Sequence, residues 1–137
     1  MRISLGYPEA STERQLLQGH GGRNSLLNLS PVVDLQQLKG WQQAAQKTYV
    51  ADALLDYVQA LLLESRSGSE HGLSPRAGMA LLDAAKCWAW LSGRKQVIPE
   101  DVQSVWSAVS DHRLVDQNAT GTSGNRSKQI IQMVAIP

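Results

Sequence analysis

Gly72-Leu73-Ser74-Pro75-Arg76-Ala77 opens the longest helix that this sequence predicts. Ser74 is a good N-cap, because its hydroxyl can accept a hydrogen bond from a backbone amide of the first turn. Pro75 suits the first helical position, where its ring already sets the backbone angle φ. Apolar residues then recur three and four positions apart until Gly93, which is expected to end the helix as a left-handed cap. The predicted apolar stripe comprises Ala77, Leu81, Ala84, Trp88 and Leu91.

Arg76 is the unusual residue at the start of this helix. A positive charge in the first turn opposes the positive end of the helix dipole, at a cost of a few tenths to about 1 kcal/mol. Two explanations stay open on the residues alone. Either the arginine holds an anion that is supplied from outside the helix, or it is an ordinary solvated side chain.

The composition suits one small domain and excludes several classes of function. The 137 residues carry a formal net charge of +1, which gives no electrostatic footprint for non-specific binding to nucleic acid. The single cysteine, Cys87, excludes an internal disulfide and favours a reducing compartment; we expect it to be a buried or half-buried thiol. The sequence has no run of about 18 apolar residues and no secretory signal, so we expect no membrane span and a cytoplasmic location.

Further apolar stripes predict a small all-α bundle over about residues 34–114. Asp34 is expected to cap a helix that runs to about residue 47, and Asp52 a helix that runs to about residue 65. Pro99 opens another helix at its first position. The apolar positions of these helices are Leu35, Leu38, Trp41 or Gln42, and Ala45; Leu54, Tyr57, Val58, Leu61 and Leu62; and Val102, Val105, Trp106 and Val109.

The two ends of the chain fit this bundle less well. Ile3 and Leu5 alternate with polar residues, which predicts a short strand cut from a larger sheet. A brief helix is expected over about residues 10–18. Near the other end, residues 116–127 have the composition of a loose linker, and residues 129–136 are apolar enough to form a last strand or helix that docks on the domain.

The sequence predicts no catalytic constellation and no metal site. The pattern G-x-x-x-x-G-K-[ST] is absent, so the glycines in residues 19–24 are interpreted as a loop and not as a phosphate-binding site. Glu100 and Asp101 are explained by the positive end of their helix and not by acid–base chemistry. No metal-ligand spacing relates the histidines, which are His20, His71 and His112.

Several short motifs follow the opening stretch in a fixed order. They are Leu81-Leu82, Ala84-Ala85-Lys86, Leu91-Ser92-Gly93-Arg94, Val97-Ile98-Pro99-Glu100-Asp101-Val102 and His112-Arg113-Leu114. Together they resemble the C-terminal helical lid of the MoxR-type AAA+ ATPases. Upstream, Glu64-Ser65-Arg66 stand where that family's preceding lid helix ends in a Thr-Arg or similar pair. Residues 1–8 and Glu13 resemble the family's last core strand and the segment that leads into the lid.

The resemblance covers about residues 1–115 and divides the chain into three parts. Residues 1–30 would be the end of the α/β ATPase core, residues 31–115 the helical lid, and residues 116–137 a loop and a docking segment. The fold expected is therefore an all-α bundle with a short N-terminal remnant of the core.

The resemblance also implies a function. Members of the family bind ATP between a Rossmann-like core and this lid, with Mg²⁺ held by the core, and they assemble as hexameric rings. Arg76 matches the arginine known as sensor 2, which reaches the ATP phosphates, and Pro75 and Ala77 would approach the nucleotide by proximity. A bound anion would offset the unfavourable position of Arg76, and a guanidinium can stabilise the charge of a transferring phosphoryl group.

The Walker A loop, the Walker B acids and the core arginine that acts on the neighbouring subunit are absent from this sequence. We therefore interpret the chain as a fragment that hydrolyses no ATP alone and binds nucleotide very weakly. The parent protein would be an ATP-dependent, chaperone-like ATPase, with a von Willebrand factor A-domain protein as its partner.

Two other functions are compatible with a helical bundle. A helical adaptor would bind a partner protein through Trp90 and the exposed ends of Leu62 and Leu63. A DNA-binding module would use the long central helix and the helix after it, which resemble the later part of a histone fold. The near-zero net charge and the absence of a helix face lined by Lys and Arg argue against the DNA-binding function.

Overall fold

A computed structural model describes residues 1–19, 29–67, 72–114 and 124–137. Its helices are α1 (Ala10–Leu17), α2 (Leu35–Gln46), α3 (Asp52–Arg66), α4 (Pro75–Leu91), α5 (Pro99–Ser110) and α6 (Gly124–Met133), and a 3-10 turn (Asp111–Arg113) follows α5. Within these ranges there is no strand, only an isolated parallel bridge between Tyr49 and Gln96. The predicted all-α bundle is therefore confirmed.

Helix α4 begins and ends where the sequence predicts. The Ser74 hydroxyl accepts from the Ala77 amide at 3.3 Å, and Pro75 occupies the first helical position. At the other end Gly93 has a φ of +76°, in the left-handed region that favours glycine. Its N–H donates to the carbonyl of Trp90, and the next N–H, of Arg94, donates to the carbonyl of Ala89, each at 2.9 Å. This pair of bonds is a Schellman motif.

The buried face of α4 is rotated from the predicted stripe. Its buried residues are Ala77, Gly78, Leu81, Ala85 and Ala89. Trp88 and Leu91, which were predicted to lie in the core, are 44% and 72% exposed, and Cys87, predicted to be buried or half-buried, is exposed. The small side chains explain the difference, because they let the neighbouring helices approach closely: a Cβ added at Gly78 would lie 2.7 Å from a methyl carbon of Leu62 on α3.

The core forms where α3, α4 and α5 meet. The predicted stripes of α3 and α5 are confirmed: every member is buried except Leu62, which is half-buried against the core. Trp106 is 1% exposed and donates its indole N–H to the carbonyl of Ser127 at 2.8 Å, which ties α5 to α6. Ile130 adds a buried side chain from α6.

The segment after α5 is helical where it is described. Residues 124–127, predicted to belong to a linker, lie in α6, and the docking segment at 129–136 is helical up to Met133. The rest of the predicted linker lies outside the described residues. So do His20, His71 and most of the glycine loop at 19–24.

Helix α2 is capped as predicted but is mostly unburied. The Asp34 carboxylate accepts from the Gln37 amide at 2.8 Å, and the Gln37 side chain accepts from the Asp34 amide at 3.2 Å, which is a capping box. Of the predicted stripe only Ala45 is buried, and Leu35, Leu38 and Trp41 are 65%, 45% and 45% exposed. The reason is that α2 packs against α4 alone among the described helices.

Two predictions about helix starts and strands are wrong. Helix α3 begins at Asp52 itself after Ala51, without a side-chain cap, so Asp52 acts as a first-turn acid and not as the N-cap. Residues 1–9 form no strand, and Ile3 and Leu5 are 70% and 92% exposed. A strand needs a partner to pair with, and the described residues supply none. The brief helix predicted near residues 10–18 is confirmed as α1.

One cation of the 3-10 turn interacts with the negative, C-terminal end of the α5 dipole. The Arg113 guanidinium donates to the Val109 carbonyl at 2.6 Å, as expected at the negative end of a helix. Burial, and then the charge of Arg113, lower the pKa of His112 from its ordinary value of 6.5. The lowered pKa favours the neutral imidazole, so the positive charge at this helix end is that of the Arg113 guanidinium.

Asp101 holds the start of α5. Its side chain is 1% exposed, and one carboxylate oxygen accepts from the Ile98 amide at 3.0 Å. The other oxygen pairs with the Arg94 guanidinium, which lies just beyond the glycine that ends α4. The carboxylate thus links the end of α4 to the start of α5, as well as favouring the helix dipole.

We predict that Asp101→Ala lowers the free energy of unfolding by about 1–3 kcal/mol, because it leaves a half-buried amide and a guanidinium without their acceptor. Urea denaturation of the chain measures this. Glu100→Ala is the matched control, since Glu100 is an exposed acid in the same turn, and it should change stability by less than about 0.5 kcal/mol. Equal effects of the two substitutions would contradict the linking role.

Candidate functional site at the start of helix α4

Arg76 is exposed in the first turn of α4 and has no partner among the described residues. Its guanidinium takes part in no ion pair there, since the one ion pair within the described ranges joins Arg94 to Asp101. Neither the guanidinium nor the backbone N–H of Arg76 donates to a described residue. Both groups can therefore donate to an anion from outside, at a helix end that already favours negative charge.

The other two predicted site residues lie on different faces of α4, one exposed and one buried. Pro75 is exposed beside Arg76, whereas the side chain of Ala77 is 3% exposed and belongs to the core. The amide of Ala77 already donates to the hydroxyl and the carbonyl of Ser74. Of the three predicted site residues, Pro75 and Arg76 therefore present exposed side chains at this end of α4, and Ala77 does not.

The residue before the cap is held at both ends of its backbone. The Leu73 N–H donates to the Ser65 hydroxyl at 2.9 Å, and the Leu73 carbonyl accepts from Nε of Arg66 at 2.9 Å. Ser65 and Arg66 are the last two residues of α3. We call these two bonds the Leu73 clamp; they fix the chain immediately before α4 to the end of α3.

Two further contacts tighten this junction. The buried Ser65 hydroxyl donates to the Leu62 carbonyl at 2.6 Å, and the Ser65 carbonyl accepts from the Arg126 guanidinium of α6 at 3.0 Å. A Cβ added at Gly72 would lie 2.7 Å from Cα and 2.9 Å from the backbone nitrogen of Arg66, so only glycine fits there. Three helices thus meet at the point from which α4 starts.

The two helix ends that meet at this junction differ in how well they accommodate positive charge. Arg66 and Arg126 donate near the C-terminal end of α3, where positive charge is favourable. The N-terminal end of α4 has no acid in its first turn and carries Arg76, so the dipole and the side chain are both positive there. The site can hold an anion, but the described residues offer no group of three or more metal-ligating side chains beside it.

Sequence reasoning found Arg76 but missed most of what holds it. Ser65 and Arg66 were noted only through the family resemblance, and no role followed from it. Gly72 was part of the quoted stretch without a stated reason, which is its close approach to the Arg66 backbone. Arg126 gives no signal in the sequence, because its partner Ser65 lies far away along the chain.

Gly72→Ala should lower the free energy of unfolding by about 1–3 kcal/mol, because the added methyl group must displace backbone atoms of α3. Thermal or urea denaturation tests this. The control is Gly40→Ala in the interior of α2, where nothing lies within 4 Å of the added carbon. That substitution should be neutral or stabilise by up to about 1 kcal/mol. A neutral Gly72→Ala variant would show that the junction is not closely packed.

A family model described as the AAA lid domain matches residues 63–134, from the last turn of α3 through α6. The chain belongs to the AAA lid domain family. The matched residues include the Leu73 clamp, Arg76 and the whole of α4 and α5. Within the described ranges, no helix has the length and hydropathy needed to cross a membrane.

Relatives of the lid include MoxR proteins, as its motifs predicted. The chaperone MoxR1 of Mycobacterium tuberculosis is 29% identical over 158 residues, which cover 99% of this chain and 40% of MoxR1. MoxR of Paracoccus denitrificans is 46% identical over 43 residues, 31% of this chain and 13% of that protein. The uncharacterised YeaC of Bacillus subtilis is 24% identical over 135 residues, 97% of this chain and 42% of YeaC.

A solved structure shares the fold of this chain. A candidate ATPase from Cytophaga hutchinsonii superposes with a TM-score of 0.80 at 22% identity, covering 100% of this chain and 46% of the other. At this identity the likeness shows the fold alone. The chain spans about two fifths of the length of MoxR1 and YeaC, at 40% and 42%.

Proposed function

We propose that this chain is the nucleotide-sensing lid of a MoxR-type AAA+ ATPase and that Arg76 is its sensor 2. The observation that carries the proposal is the unpaired, exposed guanidinium of Arg76 at a helix start that favours anions. In a chain of this family, a triphosphate is the anion that such a residue would meet. The bound phosphate would offset the cost of a cation in the first turn of α4.

The lid would supply charge and position, and its core would supply the chemistry. An α/β core would hold ATP and Mg²⁺, and the Arg76 guanidinium would donate to a phosphate oxygen and stabilise charge on the transferring phosphoryl group. The exposed ring of Pro75 would line the same face. Because the side chain of Ala77 lies in the core, only its backbone could approach the nucleotide.

Arg76 is well placed to transmit motion. It lies on the same helix as Leu81, Ala85 and Ala89, which follow it along α4 and are buried in the core of the bundle. A pull on the guanidinium would therefore turn the lid as a body instead of bending one loop. The proposal also includes an ATP-dependent chaperone-like activity, which the likeness to the chaperone MoxR1 supports. A hexameric ring, a von Willebrand factor A-domain partner and a cytoplasmic location complete it, and they rest on the family resemblance of the sequence motifs.

A helical adaptor is less well supported by the contacts. Trp90 is half-buried and its ring lies 6.4 Å, centre to centre, from that of Trp41. Leu62 is half-buried beneath Gly78, and only Leu63, at 57% exposed, is open to a partner. Of the surface predicted for an adaptor, two of the three side chains are thus engaged within the lid itself.

In the full-length ATPase, Arg76→Ala should lower kcat by about 100-fold, the scale for removing one donor from a developing charge. Steady-state ATP hydrolysis measures it. Stability should change by less than about 0.5 kcal/mol, because the side chain is exposed and unpaired in the lid.

The matched control for this variant is Arg14→Ala, which removes another exposed arginine, in α1, and should leave kcat unchanged. The lid alone should show no turnover in either form. An unchanged kcat in Arg76→Ala would overturn the assignment of sensor 2.

A further inference from the structure

We propose that Ser65 and Arg66 are positioning residues for Arg76, and that they act by holding the backbone of Leu73. This inference rests on the proposed function of Arg76, because it concerns how that arginine is aimed. Neither residue needs to touch the nucleotide. Their part is to fix where α4 begins, and therefore where the guanidinium of its second residue can reach.

The clamp acts on orientation as well as on distance. Leu73 is already held by apolar packing, since its side chain is 2% exposed, but such packing has no preferred direction. Hydrogen bonds to its N–H and its carbonyl are directional, and together they fix the orientation of the backbone on both sides of Leu73. Arg76 follows three residues later, and Ser74 and Pro75 lie between them.

Water cannot replace the Ser65 bond. The Ser65 residue is 0% exposed and Leu73 is 2% exposed, so a Leu73 N–H that lost its acceptor would stay unsatisfied or move. A shift of about 1 Å in a positioning group can cost roughly 100-fold in rate, so a small movement at Leu73 has a measurable effect at Arg76.

Ser110 shows what a buried hydroxyl does when it only serves its own helix. It is also 0% exposed, and its hydroxyl donates to the Trp106 carbonyl one turn earlier in α5 at 2.8 Å. Ser65 makes the same kind of bond to Leu62 and, in addition, accepts from Leu73 across the junction. The difference between the two serines is the contact that leads towards Arg76.

The test is a double-mutant cycle on ATP hydrolysis by the full-length ATPase. Ser65→Ala should lower kcat by roughly 10-fold or more in the natural background. In the Arg76→Ala background the same substitution should change kcat by less than about 2-fold, because the group it positions is already gone. Ser65→Thr, which keeps the hydroxyl, should restore most of the lost rate.

One control variant and one further test variant separate an effect on the position of Arg76 from an effect on stability. Ser110→Ala removes an equally buried hydroxyl and should leave kcat within about 2-fold of the natural protein at a comparable loss of Tm. Arg66→Ala removes an exposed side chain, so the lid keeps its fold, and it should repeat the non-additivity with Arg76→Ala.

Each outcome decides the inference. The positioning role is overturned if Ser65→Ala and Arg66→Ala each lower kcat by the same factor whether or not Arg76 is present. It is also overturned if neither substitution lowers kcat. In both cases a loss of kcat in Arg76→Ala alone still supports sensor 2. If Arg76→Ala itself has no effect, sensor 2 fails first and the positioning role fails with it.

Discussion

The hydrogen bonds on either side of Leu73 are the constraint on which the candidate site at the start of α4 depends. They join the last two residues of α3 to the residue before the cap of α4, and Arg126 brings α6 to the same place. Without them α4 would still pack through its small residues, but the place where it begins would be less well determined. An exposed, unpaired arginine can act as a sensor only if the backbone from which its side chain extends is fixed in this way.

Much of the fold could be predicted from local sequence rules. The cap at Ser74, the capping box at Asp34 and the glycine that ends α4 all depend on residues within a few positions of each other. The rotated face of α4 and the exposed stripe of α2 could not be predicted in this way. Both depend on which helices lie opposite. Alanines and a glycine let α4 turn towards its neighbours, whereas α2 has one neighbour among the described helices and a fully buried stripe needs more.

The candidate site, too, contains a part that local sequence rules could predict and a part that they could not. Arg76 could be found because a cation in a first turn breaks a local rule, and a broken rule calls for a ligand or a solvent explanation. The residues that hold its helix follow every local rule. Ser65 looks like an ordinary serine near a helix end, and its acceptor role towards Leu73 exists only once the chain has turned back on α3.

The most direct measurement is the distance from the Arg76 guanidinium to the bound nucleotide, in a structure of the full-length protein with a non-hydrolysable ATP analogue. The account predicts a nitrogen–oxygen distance of about 2.7–3.2 Å to a phosphate oxygen, with both hydrogen bonds to Leu73 still in place. An Arg76 side chain that pairs with a protein carboxylate instead, away from the phosphates, would contradict it.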